Sequence, residues 1–171
     1  MVTKRGIQYI PAIDGLRAIA VIAVMLYHLG VSWIPGGFLG VDLFFVISGY
    51  VITRLLLDSI QERGGLDLRD FYLARIRRLL PPLVFMIITT SIFVGLWAPD
   101  TTKKFLTDAP FSLTGTINWW LVFNQQDYFE SSGRPPLLQH TWSLAVEAQF
   151  YLLWPLILLL VLRYLGKKLI P

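Results

Sequence analysis

Two ionisable residues, Arg17 and His28, lie eleven positions apart in the first long apolar segment of the chain. At 100° per residue, eleven steps return to within about 20° of the same helix face after a rise of roughly 16 Å. Asp14 lies within about 60° of that face, so the three residues form a polar edge on an apolar helix. Ionisable side chains are costly in such a segment and usually serve chemistry or conduction. We therefore interpret His28 as a chemical group, whereas a role as interfacial anchor explains Arg17 alone equally well.

A second group of polar residues opens the last apolar segment. His140, Glu147 and Tyr151 fall within about 40° of one another on a helix, and Ser143 lies on the flank of that face. A glutamate inside a membrane helix needs a partner, and the depths of the two segments place Glu147 near the level of His28. A carboxylate that orients an imidazole and raises its basicity is what general-base catalysis on a hydroxyl requires. We predict that the two residues pair, with a purely structural bridge between helices as the alternative.

Three more charged residues are candidates for binding or support. Asp42 stands near the start of the second apolar segment, where a charge favoured by the helix dipole is an equally good explanation. Arg75 and Arg78 are three residues apart on a predicted short amphipathic helix that has Asp67 as its N-cap. Two guanidinium groups at this spacing can bind phosphate oxygens. Taken alone, such arginines are more often topology signals and lipid anchors.

The composition favours a membrane protein. Of the 171 residues, 55% are hydrophobic, and the mean hydropathy is +0.60; this balance is typical of several membrane helices. Only 15% of residues are charged, so the net charge of +4 does not indicate a nucleic-acid partner. The absence of cysteine excludes disulfides, thiolate metal sites and cysteine nucleophiles. The two histidines lie far apart without an acidic cluster, which argues against a metal site.

The apolar pattern predicts an all-α, multi-pass transmembrane bundle. Four segments are long enough to span a bilayer, and Pro81-Pro82 is expected in the first turn of the third. A fifth segment, 105–124, is apolar but interrupted by Asp108, Pro110, Gly115 and Asn118. The predicted spanning helices cover about 15–34, 40–57, 80–98 and 141–165.

The distribution of basic residues predicts the orientation. The segment 58–79 holds five arginines and the segment 30–39 holds none, so the N-terminus and the arginine-rich loop are expected in the cytoplasm. If 105–124 spanned the bilayer, the last helix would run outward and carry Arg163, Lys167 and Lys168 outside. The positive-inside rule therefore favours a re-entrant or interfacial segment at 105–124, with the last helix running inward.

Several of these motifs together resemble the acyltransferase 3 family. The resemblance rests on residues 9–18 (YIPAIDGLRA), the Arg-x10-His spacing, residues 36–49 (GGFLGVDLFFVISG), residues 75–78 (RIRR) and residues 140–151 (HTWSLAVEAQFY). They occur in matching order over nearly the whole chain. Carried over by position, Arg17 and His28 match the Arg-x10-His pair, Arg75 and Arg78 match the basic loop motif, and Glu147 matches the helix carboxylate.

The resemblance implies an enzyme of the bacterial cytoplasmic membrane that transfers acyl groups other than aminoacyl groups. Its acceptors would be hydroxyls of cell-surface glycans, free or lipid-linked, such as lipopolysaccharide, exopolysaccharide or peptidoglycan. The implied donor is acyl-CoA, most commonly acetyl-CoA, used as a substrate with no permanently bound cofactor. His28 and Glu147 would deprotonate the acceptor hydroxyl, Arg75 and Arg78 would hold the CoA phosphates, and Arg17 would lie at the mouth of the pantetheine tunnel.

Membrane domains of this family have about ten helices, so we expect residues 1–171 to form the N-terminal portion of such a domain, completed by further helices or a partner chain. Two alternatives remain at this stage. A transporter-like protein would use buried His, Glu and Arg as a pathway, but it predicts inverted repeats that the sequence does not show. The other alternative is a non-catalytic, truncated membrane fragment.

Overall fold

The computed structural model describes residues 10–124 and 136–165. Within these ranges the chain consists of helices and turns, without a strand, and this confirms the all-α class. Four helices are long and apolar enough to cross a membrane. The chain divides into two compact units, Met1–Leu66 and Asp67–Pro171, which are described separately.

The first unit is a pair of long helices. Helix α1 covers Pro11–His28, with proline in the first turn where its missing amide hydrogen has no cost. A short 3-10 turn at Gly37–Leu39 leads into α2, which covers Gly40–Arg63. Gly64 ends α2 in the left-handed conformation, with its amide bonded to the Ile60 carbonyl.

Two predicted boundaries in this unit are wrong. Helix α1 ends at His28 rather than near residue 34, because the chain turns at Gly30, whose φ of 70° is left-handed. Helix α2 continues past residue 57 to Arg63, since Gln61, Glu62 and Arg63 beyond the apolar stretch are good helix formers. His28 is therefore the last residue of its helix, whereas the prediction placed it within a helix that continued to about residue 34.

Glycines let the two helices of the first unit approach closely. A Cβ placed on Gly37 would lie 2.3 Å from the Ala23 carbonyl oxygen, and one on Gly40 would lie 2.5 Å from the Ala20 carbonyl oxygen. Both distances are far below van der Waals contact, so no larger residue fits without moving the backbone of α1. Close backbone approach at small residues is a common way for membrane helices to pack.

We expect Gly40→Ala to destabilise the protein by about 1–3 kcal/mol, because the new methyl group overpacks a backbone contact. The matched control is Gly49→Ala on the same helix, where a Cβ has nothing within 4 Å. That change is expected to be neutral or to stabilise by about 0.5–1 kcal/mol through helix propensity. Thermal unfolding of the full-length protein in detergent measures both variants, and equal stability of the two would contradict the packing argument.

The second unit begins with a helix that is longer than predicted. Helix α3 covers Leu68–Trp97 and is about 45 Å long. The Asp67 carboxylate accepts a bond from the Asp70 amide at 3.0 Å, which confirms the predicted N-cap. The predicted loop 58–79 and the helix start at 80 are wrong, because the amphipathic helix and the apolar helix are continuous. Pro81 and Pro82 consequently lie inside α3 rather than in its first turn.

Residues 102–123 form a helical hairpin. Helices α4 (Thr102–Leu113) and α5 (Ile117–Phe123) are joined by a turn at Gly115, whose φ is 68°. Phe105 near the start of α4 packs on Val94 near the end of α3. From there α4 runs antiparallel to α3, and α5 runs antiparallel to α4. Neither helix is long enough to span a bilayer, and this chain path is the one expected of a re-entrant segment.

The last helix runs antiparallel to α3. A 3-10 turn at Gln139–Thr141 precedes α6, which covers Trp142–Leu165. Leu138 packs on Val94 at one end of α3, and the Tyr72 hydroxyl donates to the Leu152 carbonyl at 3.0 Å at the other end. The arginines at the start of α3 and Arg163 therefore lie at the same end of this unit, as the inward-running alternative predicts.

Candidate active site

A cavity of about 470 Å³ lies in the second unit between α3, the hairpin and α6. This volume is in the usual range for small-molecule sites. Most of its lining is aliphatic, from leucine, isoleucine and alanine side chains. Its polar lining residues are Tyr72, Arg75, Ser112, Thr114, Gln149 and Tyr151. An apolar cavity with few polar groups suits a long, largely uncharged ligand that carries a charge at one end.

Arg75 is the charged residue of this lining. Its guanidinium carbon lies 5.3 Å from the centre of the Phe71 ring and 5.7 Å from that of the Tyr151 ring, so two aromatic faces hold it. Its Nε is buried and has no hydrogen-bond partner among the described residues. A buried donor without a partner is costly. Arg75 is thus prepared to bind an anionic group that enters the cavity.

Glu147 and Tyr151 form the second part of the site. The Tyr151 hydroxyl donates a hydrogen bond to the Glu147 carboxylate, as their predicted common face allows. The Tyr151 side chain is buried and lines the cavity, and Glu147 is within electrostatic range of Arg75. Tyr151 thereby connects the carboxylate with the cationic group. Its contact with Arg75 is not indicated by any spacing in the sequence.

His28, in the first unit, is exposed at the end of α1. Its Nδ1 lies 2.8 Å from the Val24 carbonyl oxygen. Because a carbonyl can only accept, Nδ1 carries the proton, and Nε2 holds the basic lone pair of the neutral ring. Nearer the start of the same helix, Arg17 makes an ion pair with Asp14 at 3.2 Å, so two of the three residues of the predicted polar edge are in contact. His28 belongs to the first unit and Glu147 to the second, so their pairing stays a prediction.

Among the remaining predicted residues, Asp42, Arg78 and His140 are exposed, and Ser143 is half-buried. Arg78 is exposed, unlike Arg75, so the two arginines of the predicted clamp differ in environment. Asp42 is exposed in the first turn of α2, where the helix dipole stabilises its negative charge. His140 lies in the 3-10 turn before α6, so the prediction that it opens this helix is wrong; its carbonyl accepts a bond from the Ser143 hydroxyl at 3.3 Å. No group of three metal-ligating side chains occurs within 10–124 and 136–165.

Sequence reasoning missed four polar lining residues of the cavity, Tyr72, Ser112, Thr114 and Gln149. Tyr72 bonds the backbone of α6, and Gln149 bonds the tip of the hairpin. The signal for Gln149 was present, because a carboxamide in an apolar membrane segment usually bonds a neighbouring helix. Tyr72 offered no such signal, since tyrosine near a segment end is typical of interfacial belts.

A buried carboxyl group, Asp108, stabilises the hairpin from within. Asp108 is 2% exposed and accepts a bond from the Trp120 indole nitrogen at 3.0 Å, while Trp120 stacks on Phe111 with ring centres 4.3 Å apart. Burial raises the pKa of Asp108 above its ordinary value, although the Trp120 bond and the nearby Lys104 oppose the shift. The hairpin lies outside the four candidate spans.

This raised pKa predicts a pH-dependent stability. A carboxyl that prefers its proton in the folded state contributes most below the unfolded-state pKa, and the contribution falls as the pH rises towards the folded-state pKa. We therefore expect the unfolding temperature of the full-length protein in detergent to decrease from about pH 4 upward. In Asp108→Asn, which keeps an acceptor for Trp120, this part of the slope should disappear. An unchanged slope would exclude Asp108 as its source.

Comparisons with known proteins agree with this arrangement of motifs. Residues 10–170 match the family described as an acyltransferase domain. The chain is 46% identical over 162 residues to the peptidoglycan O-acetyltransferase OatA of Listeria monocytogenes, covering 95% of this chain and 26% of that protein. It is 48% identical over 151 residues to the putative peptidoglycan O-acetyltransferase YrhL of Bacillus subtilis, covering 88% and 24%. Its identity to the O-acetyltransferase OatA of Staphylococcus aureus is 43% over 156 residues, covering 91% and 26%.

The chain spans about a quarter of the length of these relatives. No solved structure matches it significantly. The family match nevertheless begins at residue 10, immediately before α1, and extends beyond α6, so it includes every helix described above. This chain therefore belongs to the acyltransferase family whose domain it matches.

Proposed function

We propose that this chain is part of a membrane O-acyltransferase that moves an acetyl group from acetyl-CoA to a hydroxyl of a cell-wall glycan. The observation that carries the proposal is the cavity of the second unit, where the buried Nε of Arg75 has no partner among the described residues. An apolar cavity that contains the guanidinium group of Arg75 suits a phosphorylated donor with a long uncharged arm. The relatives are named as O-acetyltransferases of peptidoglycan, and these names suggest the acetyl group and the acceptor class.

The donor would lie along α3. Arg75 and Arg78 lie near the start of this helix, where they would bind the CoA phosphates through charge-assisted hydrogen bonds. From Arg75 to Leu83 the cavity lining follows α3 for about 12 Å, enough for much of an extended pantetheine arm. Arg17 is assigned to the tunnel mouth by resemblance alone, and its ion pair with Asp14 fixes its orientation.

The chemistry would be a direct acyl transfer. The acceptor hydroxyl gives its proton to Nε2 of His28, its oxygen forms an ester bond with the acetyl carbon, and the thioester C–S bond breaks. The CoA sulfur leaves and takes up the proton, so that charge and atoms balance. Glu147 holds the Tyr151 hydroxyl and balances the charge of Arg75. No resident cofactor is required.

The proposed location is the cytoplasmic membrane of a bacterium, with the N-terminus and the start of α3 in the cytoplasm. The antiparallel arrangement of α3 and α6 supports this orientation, because it collects the arginines of both helices at one end. Acetyl-CoA would then enter from the cytoplasm, and the acceptor glycan would be met at the opposite end of α3.

The test uses the full-length protein in sealed membrane vesicles of known sidedness, supplied with acetyl-CoA labelled in the acetyl group. We expect CoA release and labelled glycan only when the donor is added on the cytoplasmic side. Vesicles that lack the protein are the control. Absence of CoA release from the full-length protein would refute the enzyme, and solute uptake without CoA release would favour a transporter.

A further inference from the structure

The carboxamide of Gln149 uses all of its hydrogen-bonding capacity at the tip of the hairpin. Its Nε2 donates to the Gly115 carbonyl at 2.8 Å and to the Asn118 side-chain oxygen at 2.9 Å. Its Oε1 accepts from the Asn118 amide at 3.3 Å and from the Trp119 indole at 3.2 Å. A glutamine side chain offers two donor hydrogens and two acceptor lone pairs, and all four are matched here.

Gly115, whose carbonyl Gln149 bonds, belongs to one wall of the cavity. Ser112, Thr114 and Gly115 line the cavity on the hairpin side, and Gln149 lines it on the α6 side. Gly115 is left-handed, with φ of 68°, so the turn depends on a conformation that few other residues adopt. A second bond, between the Ser112 and Thr141 hydroxyls at 3.0 Å, joins the hairpin to the start of α6.

We propose that Gln149 is a positioning residue: by bonding the Gly115 carbonyl it holds the hairpin tip in place as a wall of the donor cavity. The occupant of the cavity rests on the proposed function, whereas the bonding of the hairpin does not. If the tip moves away from α6, the wall formed by Ser112, Thr114 and Gly115 opens and donor binding weakens. The reacting groups named above are not part of this wall.

Gln149→Glu removes the two bonds that this side chain donates and keeps the two that it accepts. A carboxylate of the same shape still accepts hydrogen bonds from the Trp119 indole and from the Asn118 side-chain amide. The carboxylate cannot donate to the Gly115 carbonyl or to the Asn118 side-chain oxygen, and it places a negative charge against both oxygens. The controls are Trp119→Phe, which removes one accepted bond only, and Gln61→Glu, the same chemical change at an exposed position of α2.

The first readout is independent of activity. The 171-residue chain has no cysteine, so Ser112→Cys gives it one thiol at a buried site that is 3% exposed; thiols elsewhere in the full-length protein are replaced by serine. We expect maleimide to label this thiol about 10- to 100-fold faster in Gln149→Glu than in the parent, because the hairpin opens more often. The two controls should label at the parent rate.

The second readout is the kinetics with acetyl-CoA. The KM for the donor should rise about tenfold in Gln149→Glu while kcat changes less than about threefold, since uniform donor binding is lost. General misfolding would instead lower the apparent kcat at constant KM. Parent-like labelling, or an unchanged KM with faster labelling, overturns the proposal. If the wild-type protein releases no CoA at all, the proposed function fails, and the labelling rates still decide whether Gln149 holds the hairpin.

Discussion

Substitution of His28 by alanine abolishes acyl transfer by the full-length protein, without changing its level in the membrane, if the imidazole is the general base. Removing a general base costs about 10²- to 10⁴-fold in rate. His28 is exposed at the end of α1, so its removal leaves no cavity and should not affect folding. The Nδ1–H bond to the Val24 carbonyl leaves the basic lone pair on Nε2. A glutamine amide has no such basic nitrogen and cannot replace it.

The measurement is the initial rate of CoA release at saturating acetyl-CoA, normalised to the amount of protein in the membrane. His28→Gln serves as the polar control and is expected to be as inactive as His28→Ala. Added imidazole should restore part of the rate in the alanine variant, and less in the glutamine variant, whose longer side chain obstructs the position of the ring. Retained activity in His28→Ala would remove this residue from the mechanism and leave its position at the helix end as a structural feature.

Local spacing was sufficient to predict some of these features. Glu147 and Tyr151 are four residues apart, and a helix brings such residues into contact, so their hydrogen bond follows from the sequence. Asp67 as N-cap follows in the same way, because its side chain reaches the amide three residues ahead. The four long apolar helices are likewise predicted by the hydropathy and length of their sequence segments.

Features that depend on long-range packing could not be predicted from the same information. The rings around Arg75 come from Phe71 on its own helix and from Tyr151 on α6, and no local pattern joins α3 to α6. The boundary errors have a different cause. Hydropathy detects the apolar part of a helix, whereas α3 begins twelve residues before residue 80, in a charged stretch with good helix propensity. The positive-inside rule nevertheless predicted the antiparallel direction of α6, because it depends on charge alone.

The position of Arg75 leads to the second large effect. Arg75→Ala is expected to raise the KM for acetyl-CoA while the protein still inserts and folds. Loss of a half-buried, charge-assisted contact costs about 2–4 kcal/mol, which corresponds to about 30- to 1,000-fold in KM. Arg75→Lys keeps the charge but loses the planar stacking and the Nε donor, so an intermediate KM is expected. The KM for the glycan acceptor should stay near the wild-type value in both variants.

Arg77→Ala is the matched control, because Arg77 is an exposed arginine two residues away on the same helix. A topology signal depends on the number of positive charges near a helix end, so in that case Arg75→Ala and Arg77→Ala would have equal effects on orientation and activity. A donor site depends on the cavity, and only Arg75 among these two lines it. A large rise in KM in Arg75→Ala with a wild-type KM in Arg77→Ala would therefore favour donor binding. Equal kinetics in the two variants would assign the arginines of α3 to membrane orientation and refute the role of the cavity.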